Sequence, residues 1–528
     1  MKNKKESFLK GVFVLLISQI FIKIIGLVYK LYLTNKEGFG DVGNAIYSSG
    51  FQIYALLLTF SSTGVPNAIS KLISERLAVE DFKGANKIFK ISFITFSIIG
   101  GIASIILFLG AKTIASKWLQ IPEAELSLIA LAPSIFFVSI GAVMRGYFNG
   151  IQSFSTTAKS QSVEQIFKTI FTIILVELIS IGSRTNTTLM AAAANLATTI
   201  ATISSFSYIY AYYKLKKCQI NEKVNYLKNY KPMRIRKTIK KIITVAFPIS
   251  LSSLISSFNK NIDSFTIVRF LKYITSEENA KIQYGILSGK VDSLCSLPFS
   301  INIAFVTTLV PNISKMVAVG DFNGVKEKSK MFILISILIG LPITSFMFIF
   351  SNEILTLLFP NANDGAELLK WSSISVIFML VAQTVNAILQ GIGKVNIPAI
   401  GFGIGMIFKF LCNIILLPIK QIGIFGAIIG NIICNLIALY IGVTVLKKNL
   451  DIKFEFKKFV LKPIIITCLF SIFAIVLYNN LKSINLNNMA IILSLAISMI
   501  FYIILVFMLR IFRKEEIKVF VGNRSWKK

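Results

Sequence analysis

Eight ionisable side chains stand inside stretches of the chain that are otherwise apolar: Lys23, Lys30, Lys260, Asp263, Arg269, Lys290, Asp292 and Lys409. A charge near the centre of a bilayer costs at least ~2.5–3.5 kcal/mol on insertion scales, so each marks a candidate site. Six of the eight are cations, Lys23, Lys30, Lys260, Arg269, Lys290 and Lys409. Lysine and arginine supply charge and hydrogen-bond donors together, which suits a phosphate or pyrophosphate group. The bland alternatives differ by position. Lys30 and Arg269 can snorkel to an interface, whereas Lys260 with Asp263, and Lys290 with Asp292, can form local ion pairs. Lys23 lies mid-span and Lys409 has no neighbour of opposite charge in sequence, so both are expected to face a cavity. At the polar ends of the apolar runs, Glu75, Asp81, Glu164 and Asp321 are candidate gate carboxylates, pairing across two lobes with Arg76, Arg145 or Lys315; the alternative is plain solvation.

Other chemistries are excluded or find no support. The chain has no histidine, which removes imidazole bases, Ser-His triads and His-ligated metals. Its five cysteines (Cys218, Cys295, Cys412, Cys434, Cys468) are scattered, and four lie in apolar runs as small hydrophobes. No G-x-x-x-x-G-K-[ST] phosphate loop is present, so neither a nucleotide nor another organic cofactor is expected.

The elements that must position these charges are membrane helices. Of 528 residues 55% are hydrophobic and 15% charged, against roughly 25% charged in soluble chains. Fourteen apolar spans are expected, near 8–33, 44–66, 88–111, 125–148, 163–182, 188–213, 242–271, 283–311, 331–351, 368–391, 398–418, 424–446, 462–480 and 488–511. The net charge of +32 is concentrated in alternate loops, including 67–91, 145–170, 214–241 and 447–462. That asymmetry follows the positive-inside rule, with both termini cytoplasmic, and makes anionic lipids rather than nucleic acid the partners of the basic surface. The Lys-rich start resembles a signal sequence, but without a small-residue cleavage site it reads as an uncleaved first helix.

The chain carries a duplication. Thr63-Gly64-Val65-Pro66-Asn67-Ala68-Ile69-Ser70-Lys71, then Glu80-Asp81-Phe82-Lys83-Gly84, returns as Thr308-Leu309-Val310-Pro311-Asn312-Ile313-Ser314-Lys315, then Gly320-Asp321-Phe322-Asn323-Gly324. Tyr147-Phe148-Asn149-Gly150-Ile151-Gln152 returns as Ile388-Leu389-Gln390-Gly391-Ile392-Gly393. These offsets, 245 and 241 residues, give an all-α polytopic protein of two parallel six-helix lobes, 1–213 and 242–447. A basic linker (214–241, with eleven Lys or Arg) joins them, as an inner-leaflet helix or a solvated tether. Residues 448–528 add two helices and a tail.

The run Ala55 to Glu75, and Arg145-Gly146-Tyr147-Phe148-Asn149-Gly150-Ile151-Gln152 continuing through Ala158, Ser160-Gln161 and Glu164-Gln165, resemble signatures of the stage V sporulation protein B family. That family lies in the multidrug/oligosaccharidyl-lipid/polysaccharide exporter superfamily, with the lipid II flippases. Thr156-Thr157-Ala158 departs from its Pro-Thr-Ala, which softens a turn. The resemblance covers nearly the whole chain. It implies a V-shaped two-lobe transporter of the bacterial cytoplasmic membrane that moves a lipid-linked sugar pyrophosphate outward by alternating access, with cell-wall synthesis enzymes as neighbours and a monomeric state. It also implies candidate sodium ligands at Asp263, Asn413 and Asn431, interhelical hydrogen bonding being the alternative; proton coupling is the other ion-gradient reading. The last two helices are expected either to shelter a polyprenyl tail or to pack on the second lobe. Moving one charge through 100 mV is worth ~2.3 kcal/mol, so a headgroup with about two negative charges gains roughly 4–5 kcal/mol on leaving an inside-negative cell. A multidrug/cation antiporter shares the fold but calls for an acidic, aromatic-lined cavity. A membrane glycosyltransferase calls for acidic motifs on a large outer loop, which the expected spans do not leave room for.

Overall fold

The computed structural model describes residues 8–59, 65–181, 186–224, 240, 244, 258–484, 487–509 and 511, and every regular element among them is a helix. The first part contains α1 (Phe8–Asn35), α2 (Gly40–Thr59), α3 (Val65–Ala78), α4 (Phe82–Thr113), α5 (Glu125–Gly150), α6 (Phe154–Ile181) and α7 (Thr187–Val224). After α8, helical over 258–271, α9 (Glu277–Gly285) runs into a π-helical turn, Ile286–Val291. Then follow α10 (Asp292–Ala318), α11 (Phe322–Ile349), α12 (Ser351–Leu358), α13 (Ala366–Gly391), α14 (Asn396–Leu416), α15 (Phe425–Leu450), α16 (Lys462–Ser483) and α17 (Asn487–Met508).

Ten stretches among the described residues are long and apolar enough to cross a membrane. The other four expected spans fall on α2, α6, α8 and α10. In α6, Glu164, Lys168 and Glu177 lower the hydropathy, and α8 begins outside the described residues. The basic linker starts within a helix, because α7 continues past Tyr213 to Val224; its remainder, with the proposed surface helix, lies outside the description.

Two compact units form. One is Met1–Lys290 with Phe410–Ala427, the other Val291–Lys409 with Ile428–Lys528. Residues 258–290 and 410–427, which belong by sequence to the second repeat, therefore pack with the first. In the N-terminal unit the core gathers α3, α4, α5 and α7 around Ile69, Ile73, Phe89, Tyr147 and Phe148. In the C-terminal unit Ile313, Leu334, Val385 and Ile388 continue into Ile466, Phe470 and Ala474 of α16. One face of α16 thus packs on the second unit while Ile464, Ile465, Leu469 and Ile472 stay exposed, and Phe473 stacks on Phe501 of α17 at 4.3 Å between ring centroids.

The repeat is visible in hydrogen bonds. Asp81 caps α4 by accepting from the Gly84 amide at 2.7 Å, and Asp321 caps α11 by accepting from Gly324 at 2.9 Å. Ser74 Oγ donates to the Gly150 carbonyl at 2.9 Å and Ser314 Oγ to Gly391 at 3.0 Å. These pairs lie 240 or 241 residues apart. The 245-residue offset of the two Val-Pro-Asn triplets is therefore a match of composition, five positions out of structural register. Pro66 opens α3, whereas Pro311 falls near the end of α10.

Glycine is required where helices touch. A Cβ on Gly150 would stand 2.9 Å from Ile73, and one on Gly391 2.7 Å from Ile313. Gly150→Ala and Gly391→Ala are each expected to cost about 1–3 kcal/mol, read as a lower unfolding midpoint in detergent. Gly141→Ala, whose Cβ would meet nothing within 4 Å, is expected to leave it unchanged.

Candidate functional site

The cations predicted from sequence are treated in three ways. The first is an aromatic cage. Lys30 on α1 is buried with its Nζ 4.9 Å from the Tyr47 ring centroid. Beside it stands Lys168 of α6, 7% exposed, its Nζ 4.1 Å from the Phe51 centroid, 5.0 Å from Tyr29 and 5.9 Å from Tyr47. The Tyr29 and Tyr47 hydroxyls are 3.3 Å apart, and Tyr47 stacks on Phe51. Ring faces attract a desolvated ammonium by ~2 kcal/mol or more, which offsets much of the cost of burial. Sequence reasoning missed Lys168 by counting it among the cations of the 145–170 loop. Its setting, Ile166-Phe167-Lys168-Thr169-Ile170-Phe171, was the available signal.

The second treatment is neutralisation. Lys290 is fully buried and its Nζ lies 2.8 Å from Asp41 Oδ1 and 2.9 Å from Oδ2, a carboxylate 249 residues away. Its partner is therefore not the neighbouring Asp292, which stands in the first turn of α10, and the pair takes Lys290 out of the set available to a ligand. Gly285-Ile286-Leu287-Ser288-Gly289 makes the approach possible. A Cβ at Gly285 would overlap the Asp41 backbone, and one at Gly289 the Asn44 side chain. Two glycines four apart let helices close to backbone distance.

The third treatment is exposure. Lys23 of α1 and Lys260 of α8 both have exposed side chains. Lys409, on α14 of the C-terminal unit, is 1% exposed. Arg269 takes the interfacial alternative: it is exposed at the end of α8 and its Nη2 donates to the Lys117 carbonyl at 2.5 Å.

Arg145 and Arg76 each pair within the N-terminal unit. Arg145 Nη2 donates to Glu164 Oε2 at 2.5 Å and to Ser205 Oγ at 2.9 Å, and Arg76 meets Asp81 at 3.3 Å. Glu75 is exposed. Of the oxygen set, Asn413 Nδ2 donates to Asp263 Oδ1 at 3.1 Å and Thr266 Oγ1 at 2.8 Å, while Asn413 Oδ1 has no hydrogen-bond partner among the described residues. Asn431 accepts from Asn435 through its carbonyl at 2.9 Å. In the first turn of α9, hydrogen bonds from Lys272 and Lys281 hold the Glu277 carboxyl below the ordinary carboxylate range. Its contribution is full above that range and is lost as pH falls through the lowered value. The C-terminal unit holds a polar network: Asn302 Nδ2 donates to Gln383 Oε1 at 2.8 Å and Thr384 Oγ1 at 3.2 Å.

Multiple apolar helices arranged as a repeat define a multi-pass α-helical membrane protein. The sequence profile described as polysaccharide biosynthesis protein matches residues 8–317, and the chain belongs to that family; the MatE profile matches residues 284–415. Two curated relatives come from Bacillus subtilis (strain 168). "Lipid II flippase MurJ" is 25% identical, over 84% of this chain and 83% of its own. "Stage V sporulation protein B" is 23% identical, over 97% and 98%. Among solved structures, "Lipid II flippase MurJ, inward closed conformation" superposes with a TM-score of 0.70 at 16% identity, over 94% of this chain and 99% of that one. A Pyrococcus furiosus transporter of the MOP superfamily, described as having reverse polarity of its binding pocket, gives 0.58 at 16% identity, over 85% and 98%.

Removing one member of the Lys290–Asp41 pair takes the ion-pair partner from a buried charge. Lys290→Met is expected to destabilise the protein by about 3–5 kcal/mol, and Lys290→Met combined with Asp41→Leu to recover most of that, measured by thermal unfolding in detergent.

Proposed function

We propose that this protein is a flippase for a lipid-linked glycan precursor, lipid II or a related polyprenyl-pyrophosphate sugar, in a bacterial cytoplasmic membrane. The observation that carries the reading is membership of the polysaccharide biosynthesis family in a chain whose accessible intramembrane charges include Lys23 and Lys260. Ammonium groups of this kind suit a pyrophosphate, to which they give charge and hydrogen bonds together. Lys30 and Lys168 stand in the same unit and raise the local positive potential. Lys409, an intramembrane cation of the C-terminal unit, is a further candidate. Relatives named as a lipid II flippase and as a sporulation protein support the substrate class.

Transport then needs the loaded site to open to each leaflet in turn. Departure of an anionic headgroup from an inside-negative cell is favoured by the membrane potential, at ~2.3 kcal/mol per charge and 100 mV. The sidedness this requires, both termini cytoplasmic, rests on the distribution of Lys and Arg. An ion gradient is the second source of drive. Asp263, Thr266 and Asn413 offer oxygen ligands suited to sodium, and the unpartnered Asn413 Oδ1 fits such a role. A pump for cationic drugs is the second reading, and Asp263 is the carboxylate it would use.

In a host depleted of its own precursor flippases, the chain is expected to restore wall synthesis. Lys23→Ala, Lys260→Ala and Lys409→Ala are each expected to abolish that rescue while the protein still reaches the membrane. Full rescue by all three would overturn the reading.

A further inference from the structure

A second feature lies in the N-terminal unit. An apolar cavity of about 640 Å³ is walled by Leu56 of α2, Ala103 and Leu107 of α4, Ile114, and Phe258 and Phe265 of α8. Arg269 and Trp118 line it as well. Arg269 gives one guanidinium hydrogen bond to the Lys117 carbonyl, out of the five donors such a group carries. Trp118 is 54% exposed and meets Phe265 edge-on, as an aromatic residue does at headgroup level. The α4 helix ends here in a π-helical turn, Ile114–Trp118, an irregularity often found at functional sites. Lys112 and Lys117 are both exposed along this same end of α4. The carboxylates of Glu123 and Glu277 are engaged by Lys281 and Lys272, at 2.6 and 3.0 Å. The rim is therefore positive and the interior is hydrocarbon.

We infer that this groove holds one acyl chain of an anionic phospholipid whose phosphate is clamped by Arg269. Shape and charge select the occupant. A methylene group is close in size to a liquid water of about 30 Å³, so the cavity takes roughly twenty carbon atoms. That is one acyl chain, and well short of a long polyprenyl tail. A guanidinium presents paired donors to a phosphate, which discriminates against a zwitterionic headgroup whose own cation opposes it. The site does not depend on the flippase reading, because it uses none of the lysines assigned to the transported headgroup.

The test is native mass spectrometry of the purified full chain, delipidated and then offered an equal mixture of phosphatidylglycerol and phosphatidylcholine, with and without a polyprenyl phosphate. One phosphatidylglycerol per chain is expected to survive activation. Arg269→Gln is expected to reduce the preference for phosphatidylglycerol about tenfold. Leu107→Trp, which fills the groove, is expected to remove the bound lipid, and the smaller Ala103→Leu to weaken it, so that a misfolded tryptophan variant does not decide the matter. Equal retention of both phospholipids by the unaltered chain, displacement by the polyprenyl phosphate, or retention unchanged in Arg269→Gln and Ala103→Leu would each overturn the inference.

Discussion

Positive charge inside an apolar bundle must be compensated, and that requirement organises the N-terminal unit. Each cation there meets a different environment. Lys168 rests on three aromatic rings, Lys290 on a carboxylate, and Arg269 on a helix-end carbonyl. The compensation dictates other residues in turn. Gly285 and Gly289 are needed so that Lys290 can reach Asp41, and Tyr29, Tyr47 and Phe51 must converge so that Lys168 can be buried. Lys23 and Lys260 stand apart from this pattern, because both are exposed.

The two repeats share a frame and differ in content. Capping aspartates, the Ser–Gly hydrogen bonds and the close contacts at Gly150 and Gly391 recur at one spacing, since they fix how neighbouring helices pack. The cage of α1, α2 and α6 is charged and aromatic, whereas Asn302, Gln383 and Thr384 form an uncharged network in the second unit. A duplicated scaffold with divergent centres separates what holds the helices from what meets a ligand.

Membership of the polysaccharide biosynthesis family and the likeness to solved flippases and multidrug transporters agree on the fold. Within that fold, the N-terminal unit engages Asp41 with Lys290 and Glu164 with Arg145.

Hydropathy, the loop charges and the recurring motifs were enough to establish a polytopic helical protein with a duplication, because burial in hydrocarbon forces backbone hydrogen bonds into helices and charges into loops. The capping Asp81 and Asp321 were legible for the same reason, being set by local geometry. Sequence could not assign partners to the buried charges. Lys290 looked to Asp292, two residues on, and found Asp41; Arg145 found Glu164 within its own unit; Lys168 was read as a loop cation and proved to be buried. The Val-Pro-Asn triplets suggested a register that the hydrogen bonds shift by five. Such outcomes depend on which helix faces meet, and that is settled by close packing at residues such as Gly285, Gly289 and Gly391. Composition therefore determined that the charges would be costly, and tertiary structure alone decided how each cost was met.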